Sequence, residues 1–409
     1  MRIKRPVFHI TLLMILILTS HVYSQKAFEI RTITAGVNLT SDNWREVLDE
    51  TKMVLHQARA MMEKEGFTLQ GVRVATNPFP FYTQGLSVKE TTDLIQQISN
   101  HARKNGFGLA IGPGIIDDTY DSDIVEKMVA ILSNGGCNAS LIIASEQYGI
   151  HHNAIKAAAE IMKRLSEIKT MANFSFAATA NMPSEAPFFP GGYHNRSYNS
   201  FSIGTESAKL VMDVFAQATD ITEAERLLFD QFEKEFQKID LAGYAIQKET
   251  GWIYEGVDTS PAPMGEVSIG QAIENLLHAP FGSPGTLSIC SVITNVIKGI
   301  DVKKAGYSGL MLPVMEDVVL AKRADEGWYG MNELLAYSSV CGTGLDVLPL
   351  PGDITLEQLE KVLLDVATLA VKLDKPLSAR LIPVKGQKAG ENAILDSDFL
   401  VPAKIFEIK

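Results

Sequence analysis

Three stretches of the chain concentrate residue types that do chemistry. The densest is Tyr254-Glu255-Gly256-Val257-Asp258-Thr259-Ser260-Pro261-Ala262-Pro263-Met264-Gly265-Glu266-Val267-Ser268-Ile269-Gly270. It sets carboxylates and hydroxyls on a backbone stiffened by Pro261 and Pro263, between a short predicted strand and a predicted helix. In parallel α/β folds the loops after strand C-termini are where ligands bind. Asp258 and Glu266 can there serve as general acid and base or hold a divalent cation, with Ser260 beside them to contact a substrate. A rigid turn in which Asp258 and Ser260 only bond backbone fits the same residues.

The second stretch is Ser339-Val340-Cys341-Gly342-Thr343-Gly344-Leu345-Asp346, followed by Pro349-Leu350-Pro351-Gly352-Asp353. Cys341 reads as a nucleophile, with Gly342 and Gly344 letting a ligand approach or presenting N–H groups to an anion, and with Asp346 nearby. Two arguments oppose it. The C-terminus of the predicted helix would raise a thiol's pKa, and most buried cysteines are small apolar fillers. The third stretch runs from Lys375 to Glu391 and holds Arg380 inside an apolar strand pattern. A buried Arg needs a partner, for which Asp258, Glu266 and Asp346 are available, or else it clamps an anionic substrate. Arg31, His194 and the pair Glu316-Asp317 are lesser candidates. His151-His152 reads as a helix start, because sequence neighbours point to different helix faces. There is no P-loop, G-x-S-x-G elbow, H-E-x-x-H or C-x-x-C motif.

These stretches need a scaffold, and the pattern supplies one. Strands are predicted at 28–39, 72–76, 107–111, 138–145, 174–180, 310–314, 345–350 and 377–384. Helices are predicted at 44–64, 87–105, 123–134, 151–168, 205–216, 222–250, 284–300, 331–340 and 355–373. Residues 182–199 are irregular and proline-rich. Alternating strands and helices imply βαβ units and mainly parallel pairing, compatible with a closed barrel or an open doubly wound sheet. Neither a linker nor a repeat divides residues 25–409, so the expectation is one α/β domain.

Residues 1–24 differ in kind. Arg2, Lys4 and Arg5 precede an apolar run from Ile10 to Leu18, and Val22 and Ser24 stand where a signal peptidase reads. The expectation is a signal peptide cleaved before Gln25 and export to the periplasm or beyond. Of the 409 residues 46% are hydrophobic and 21% charged, a globular composition. Without the leader, 34 Lys+Arg face 48 Asp+Glu, a net charge of −14. So acidic a chain disfavours nucleic acid and, after cleavage, membrane surfaces. Homo-oligomerisation is left open. Cys137, Cys290 and Cys341 permit at most one internal disulfide.

With these residues in view, the chain resembles the bacterial and archaeal family called domain of unknown function 711. The matching segments are Arg31-Thr32-Ile33-Thr34 with Gly36-Val37, Gly256 through Gly270, Cys341 through Asp346 with Pro351-Gly352-Asp353, and Leu377 through Gly390. The resemblance implies a large α/β barrel similar to pyruvate formate-lyase and other glycyl-radical enzymes, and no established activity. Glycyl-radical chemistry itself is not expected, because Arg380-Leu381-Ile382-Pro383-Val384-Lys385-Gly386 does not fit the Arg-Val-x-Gly pattern such enzymes resemble one another in. Two functions follow as expectations. One is a hydrolase or lyase for a small polar or anionic metabolite, using Asp258, Glu266, Cys341 and Arg380 as catalytic groups and Arg31, Ser260, Gly342, Gly344 and Asp346 for binding. The other is a non-catalytic binder of a small ligand or cation in the periplasm.

Overall fold

The computed structural model describes residues 28–398 and 400–408. The expected signal peptide lies outside them. The strands are β1 (Glu29–Val37), β2 (Leu69–Thr76), β3 (Gly108–Pro113), β4 (Asn138–Ser145), β5 (Gly149–Ile150), β6 (Phe176–Ala180), β7 (Ser200–Glu206), β8 (Ile253–Asp258), β9 (Gly344–Pro351) and β10 (Leu377–Val384), with a small pair, β11 (Asn392–Ala393) and β12 (Ala403–Lys404), near the end. The helices are α1 (Trp44–Lys64), α2 (Val88–Lys104), α3 (Ser122–Asn134), α4 (His152–Lys169), α5 (Ala208–Phe215), α6 (Ile221–Thr250), α7 (Ile269–Leu277), α8 (Thr286–Gly299), α9 (Val318–Asp325), α10 (Met331–Ser338) and α11 (Leu356–Leu373).

The expected mixed α/β fold with a large, mainly parallel sheet is present. Its strands pair in the order β8-β7-β1-β2-β3-β4-β6-β10-β9, with β5 folded back on β4. Two junctions are antiparallel, β1–β7 and β6–β10. The sheet is therefore two parallel sets running in opposite senses. One rim carries the N-terminal ends of β1, β2, β3, β4 and β6 together with the C-terminal ends of β7 and β8, as Thr32 opposite Gly204 and Gly204 opposite Asp258 show. Strands such as β10, buried along its whole length, read as apolar runs because both faces are covered. Helix α1 packs on β1 and β2, and α11 on β4, β6 and β10.

Two differences from the sequence expectation have physical causes. Residues 205–216 are not one helix. Phe201 and Ile203 alternate with Ser200, Ser202 and Gly204 at the strand period, so β7 occupies 200–206 and the helix begins at Ala208. The apolar run 310–314 is buried but irregular. Ser308 has a φ of +41° and Pro313 offers no N–H, so this run and its flanks make isolated bridges rather than a ladder: Lys304 with Val257, Pro313 with Asp346 and Asp317 with Gly265.

That inner segment, 303–317, is held from several sides. A small hydrophobic cluster of Met182, Ala186, Phe188, Ala262, Tyr307 and Met311 forms around it, separate from the main core. At its crossing with the β9 approach, Gly309 and Gly342 pass backbone to backbone. A Cβ on Gly342 would lie 2.3 Å from the Gly309 Cα, and the Gly342 N–H donates to the Leu310 carbonyl at 2.9 Å. Gly342→Ala must therefore push two main chains apart. It should cost about 1–3 kcal/mol, read as a lower denaturant midpoint with an unchanged m-value. Wild-type stability would show that the crossing is loose.

Candidate functional site

Asp258 ends β8 and is fully buried. One carboxylate oxygen accepts from the Ser260 N–H (3.0 Å), the Ser260 hydroxyl (2.5 Å) and the Ser308 N–H (3.0 Å); the other accepts from the Tyr307 N–H at 2.8 Å. Ser260 Oγ in turn accepts from the Gly309 N–H at 3.1 Å. Burial pushes the Asp258 carboxyl up to about 6, against those bonds. Both oxygens are occupied within the fold, and neither Asp258 nor Ser260 lines the cavity that Arg380 enters. Glu266 is exposed and away from them. Arg380 pairs with neither. The motif's rigid-turn reading describes this geometry: it ties the end of β8 to the inner segment.

The end of the motif repeats the device. Asp317, also fully buried, accepts from the Ser268 hydroxyl at 2.6 Å and from the N–H groups of Ile269, Gly270, Val319 and Leu320. It thus caps α7 and α9 together, where helix N-termini leave donors unsatisfied.

Cys341 lies just beyond α10 and is buried. The carbonyls of Ser338, Ser339 and Cys341 are taken by Lys375 Nζ, a cation at a helix C-terminus. Its thiol is not on a cavity wall, and Cys137, Cys290 and Cys341 are all free. Gly342 and Gly344 serve backbone crossings; a Cβ on Gly344 would meet the Ser378 carbonyl at 2.3 Å.

Four of the expected residues do converge. Arg31, Glu316, Asp346 and Arg380 line a cavity of about 320 Å³, together with Arg73 and Tyr307. Its walls include Phe174, Phe189 and Met311, and its floor lies at the rim that collects the starts of β3 and β4, at Gly108 and Asn138. The charges inside it are unevenly compensated. Arg380 Nε donates to Asp346 at 2.7 Å and its NH2 to Glu316 at 3.3 Å, with the guanidinium 4.7 Å from the Phe174 ring centre. Burial alone would lower the Arg380 pKa, but Asp346 and Glu316 outweigh it and hold the cation above its ordinary value. Arg31 donates to Glu206 at 2.8 Å.

Arg73, on β2, differs. Among the described residues it has no carboxylate within ion-pair distance. Its guanidinium stacks 5.1 Å from the Phe189 ring centre. Burial, with Arg31 beside it, pulls it down to about 10. Sequence reasoning missed Arg73, because an Arg in Val72-Arg73-Val74 reads as an outward residue of an alternating strand. The signal available was that β2 lies between strands on both sides. A larger groove of about 650 Å³, between the α9–α10 turn and β12, is lined by Trp328, Tyr329, Phe406, Glu333, Lys404 and Glu407 among others, and holds no arginine. No group of three or more His, Cys, Asp or Glu able to hold a metal ion occurs among the described residues. Among them, too, no helix is long and apolar enough to cross a membrane.

The Asp258 geometry has a pH signature. The folded-state pKa of about 6 exceeds the ordinary 3.8. The folded state therefore binds this proton more tightly, and its contribution is fully present below pH 4 and lost as pH rises to 6. Asp258→Asn should flatten the pH 4–7 stability profile by about 3 kcal/mol, measured by denaturation at each pH. An unchanged slope would mean that Asp258 is ionised without cost.

With the site described, comparison with known proteins adds the following. The family model described as uncharacterised ACR (DUF711) matches residues 21–396. A UPF0210 protein of Pyrobaculum aerophilum is 30% identical over 395 residues, covering 90% of this chain and 87% of that protein. UPF0210 proteins of Pyrobaculum islandicum and Carboxydothermus hydrogenoformans are 28% and 26% identical, each over at least 90% of this chain and 87% of the relative. These names state no activity.

Proposed function

Starting from the fact that the chain belongs to the DUF711 family, we propose that it binds a small organic anion with an apolar body in the arginine-lined cavity. Arg73 carries this reading. A half-buried cation with no carboxylate at ion-pair distance among the described residues costs stability, and an anionic ligand is the partner that would offset the cost. The planar guanidinium favours a carboxylate or phosphate, held by two parallel bonds. Phe174, Phe189 and Met311 suit the apolar remainder, and a volume of about 320 Å³ fits a small metabolite.

Conversion of that anion by hydrolysis or elimination is the second reading. What favours it is that Glu316 and Asp346 both reach the cavity and are held by one guanidinium, so either carboxylate is placed to move a proton. Asp258, Glu266 and Cys341 have no part in it. The finer fold proposal is a barrel of the pyruvate formate-lyase type. Its support is that the inner segment bridges both edge strands, at Val257 and at Asp346. Export is likewise proposed. It is supported by the basic and apolar character of residues 2–18 and by a family match that begins only at residue 21.

A thermal-shift screen of organic carboxylates and phosphates tests the binding reading. A ligand at a hundred times its dissociation constant should stabilise the protein by about 2.7 kcal/mol. Arg73→Met should abolish that shift while leaving the unliganded protein at least as stable as wild type, since it removes a half-buried charge that has no ion-pair partner among the described residues. A ligand shift that survives in Arg73→Met would overturn the site. For export, the chain recovered from cells should begin at Gln25 by mass; retention of Met1–Ser24 would refute cleavage.

A further inference from the structure

A second cavity, of about 280 Å³, lies at the opposite ends of β4 and β6 from the arginine cavity, roughly 23 Å along β4 at 3.3 Å per residue. Ser145, the last residue of β4, lines it and is half-buried. The chain then turns through 146–148, and β5 pairs back on Ala144 and Ser145. This hairpin returns His151 to the same strand, where its N–H donates to the Ile143 carbonyl at 2.9 Å. His151 is fully buried, and Ser145 Oγ lies 2.9 Å from its Nε2. The other ring nitrogen, Nδ1, lies 3.2 Å from the Ile142 carbonyl oxygen, which can only accept. The proton therefore sits on Nδ1, and Nε2 presents a lone pair to the Ser145 hydroxyl. A main-chain carbonyl thus does for this imidazole what a carboxylate does in a serine triad: it fixes tautomer and ring orientation. The Tyr148 N–H donates to Ser145 Oγ at 3.3 Å and fixes the oxygen's position.

We propose that Ser145 and His151 are a nucleophile–base pair that hydrolyses small uncharged carboxylic esters in this second cavity. The lining sets the substrate class. Met182, Pro183, Tyr193 and Pro376 offer apolar and aromatic surface, while Glu146 and Asp374 disfavour an anion. Lys375, the cation on this wall, is engaged by main-chain carbonyls at and just beyond the end of α10. In the first step Ser145 Oγ bonds to the ester carbonyl carbon and its proton passes to His151 Nε2. The bond from that carbon to the alkoxy oxygen breaks, and the imidazolium gives the proton to the leaving alcohol. Water then attacks the acyl-serine with its proton taken by Nε2. The acyl–Oγ bond breaks, Oγ is reprotonated, and a carboxylic acid leaves. The N–H groups of Glu146 and Gln147, in the turn that follows Ser145, take no main-chain acceptor among the described residues and are the donors nearest in sequence for the oxyanion.

The test is labelling of the purified protein with an alkyl fluorophosphonate, followed by intact mass and peptide mapping, beside hydrolysis of p-nitrophenyl acetate and butyrate. One adduct per chain on Ser145 is expected, absent in Ser145→Ala. His151→Gln should slow labelling and ester turnover about 100-fold or more. The two proposals rest on cavities with separate linings at opposite ends of β4, and so fail independently. No adduct, an adduct on another residue, or wild-type turnover in Ser145→Ala overturns the inference. Should His151→Gln not fold, Ser145→Cys decides. Its thiol should react with iodoacetamide at pH 7 at least about 10-fold faster than free cysteine if His151 acts as its base, and an equal or slower rate overturns the pair.

Discussion

The dry carboxylate of Asp258 takes four hydrogen bonds, two from Ser260 and one each from the N–H groups of Tyr307 and Ser308. Each such bond to a charged group is worth about 1.5–3 kcal/mol, against a desolvation cost of several. Their joint effect is positional. The inner segment has no regular ladder of its own, so its location depends on what the end of β8 offers it. Once Tyr307 is fixed, its hydroxyl donates to Ser378 Oγ on β10 at 3.0 Å. One acid thereby links the two outer arms of the sheet, each antiparallel to the central strands, through a single intervening residue.

Asp317 completes the constraint at the other end of the segment. By capping α7 and α9 at once it sets where the chain leaves the inner face. Glu316, one residue earlier, is consequently delivered to Arg380. The two buried aspartates take their hydrogen bonds within the fold, and through the segment they hold they help Glu316, Asp346 and Arg380 to meet. This is the support that an arginine-lined cavity needs, since guanidinium recognition depends on fixed planes and distances.

How much of this the sequence discloses depends on the range of the interaction involved. Helices α1, α2 and α11 are legible because apolar spacing and capping residues such as Ser87 and Thr355 are local. The motif from Gly256 to Gly270 is legible as unusual, but its role is not. Whether Asp258 faces a ligand or a backbone 49 residues away is decided by a long-range crossing. Cys341 misleads for the same reason: its two glycine neighbours suggest ligand approach, while they exist to let Gly309 and Ser378 pass. Arg31, Asp346 and Arg380 are found because a charge inside an apolar strand is conspicuous. Arg73 is not, since its strand alternates like one with a wet face. His151 reads as a helix start, which it is, and only the β4–β5 hairpin shows that it also faces Ser145.

The placement of the arginine cavity follows from sheet polarity. In a uniformly parallel sheet ligands collect at strand C-termini, where loops enter helices. Here β7 and β8 run against β1, so one rim mixes both kinds of strand end. The C-terminal end of β8 leads into the rigid 258–264 loop, while β1 and β2 bring Arg31 and Arg73 on strand backbone. Cations mounted on strands lose little freedom when they bind, in contrast to cations on loops. The loop side supplies Ala262, Pro263 and Met264 as an apolar wall. The reversal of two strands thus accounts for a cavity with rigid charge on one side and apolar surface on the other, which is the arrangement that an anion with an apolar body requires.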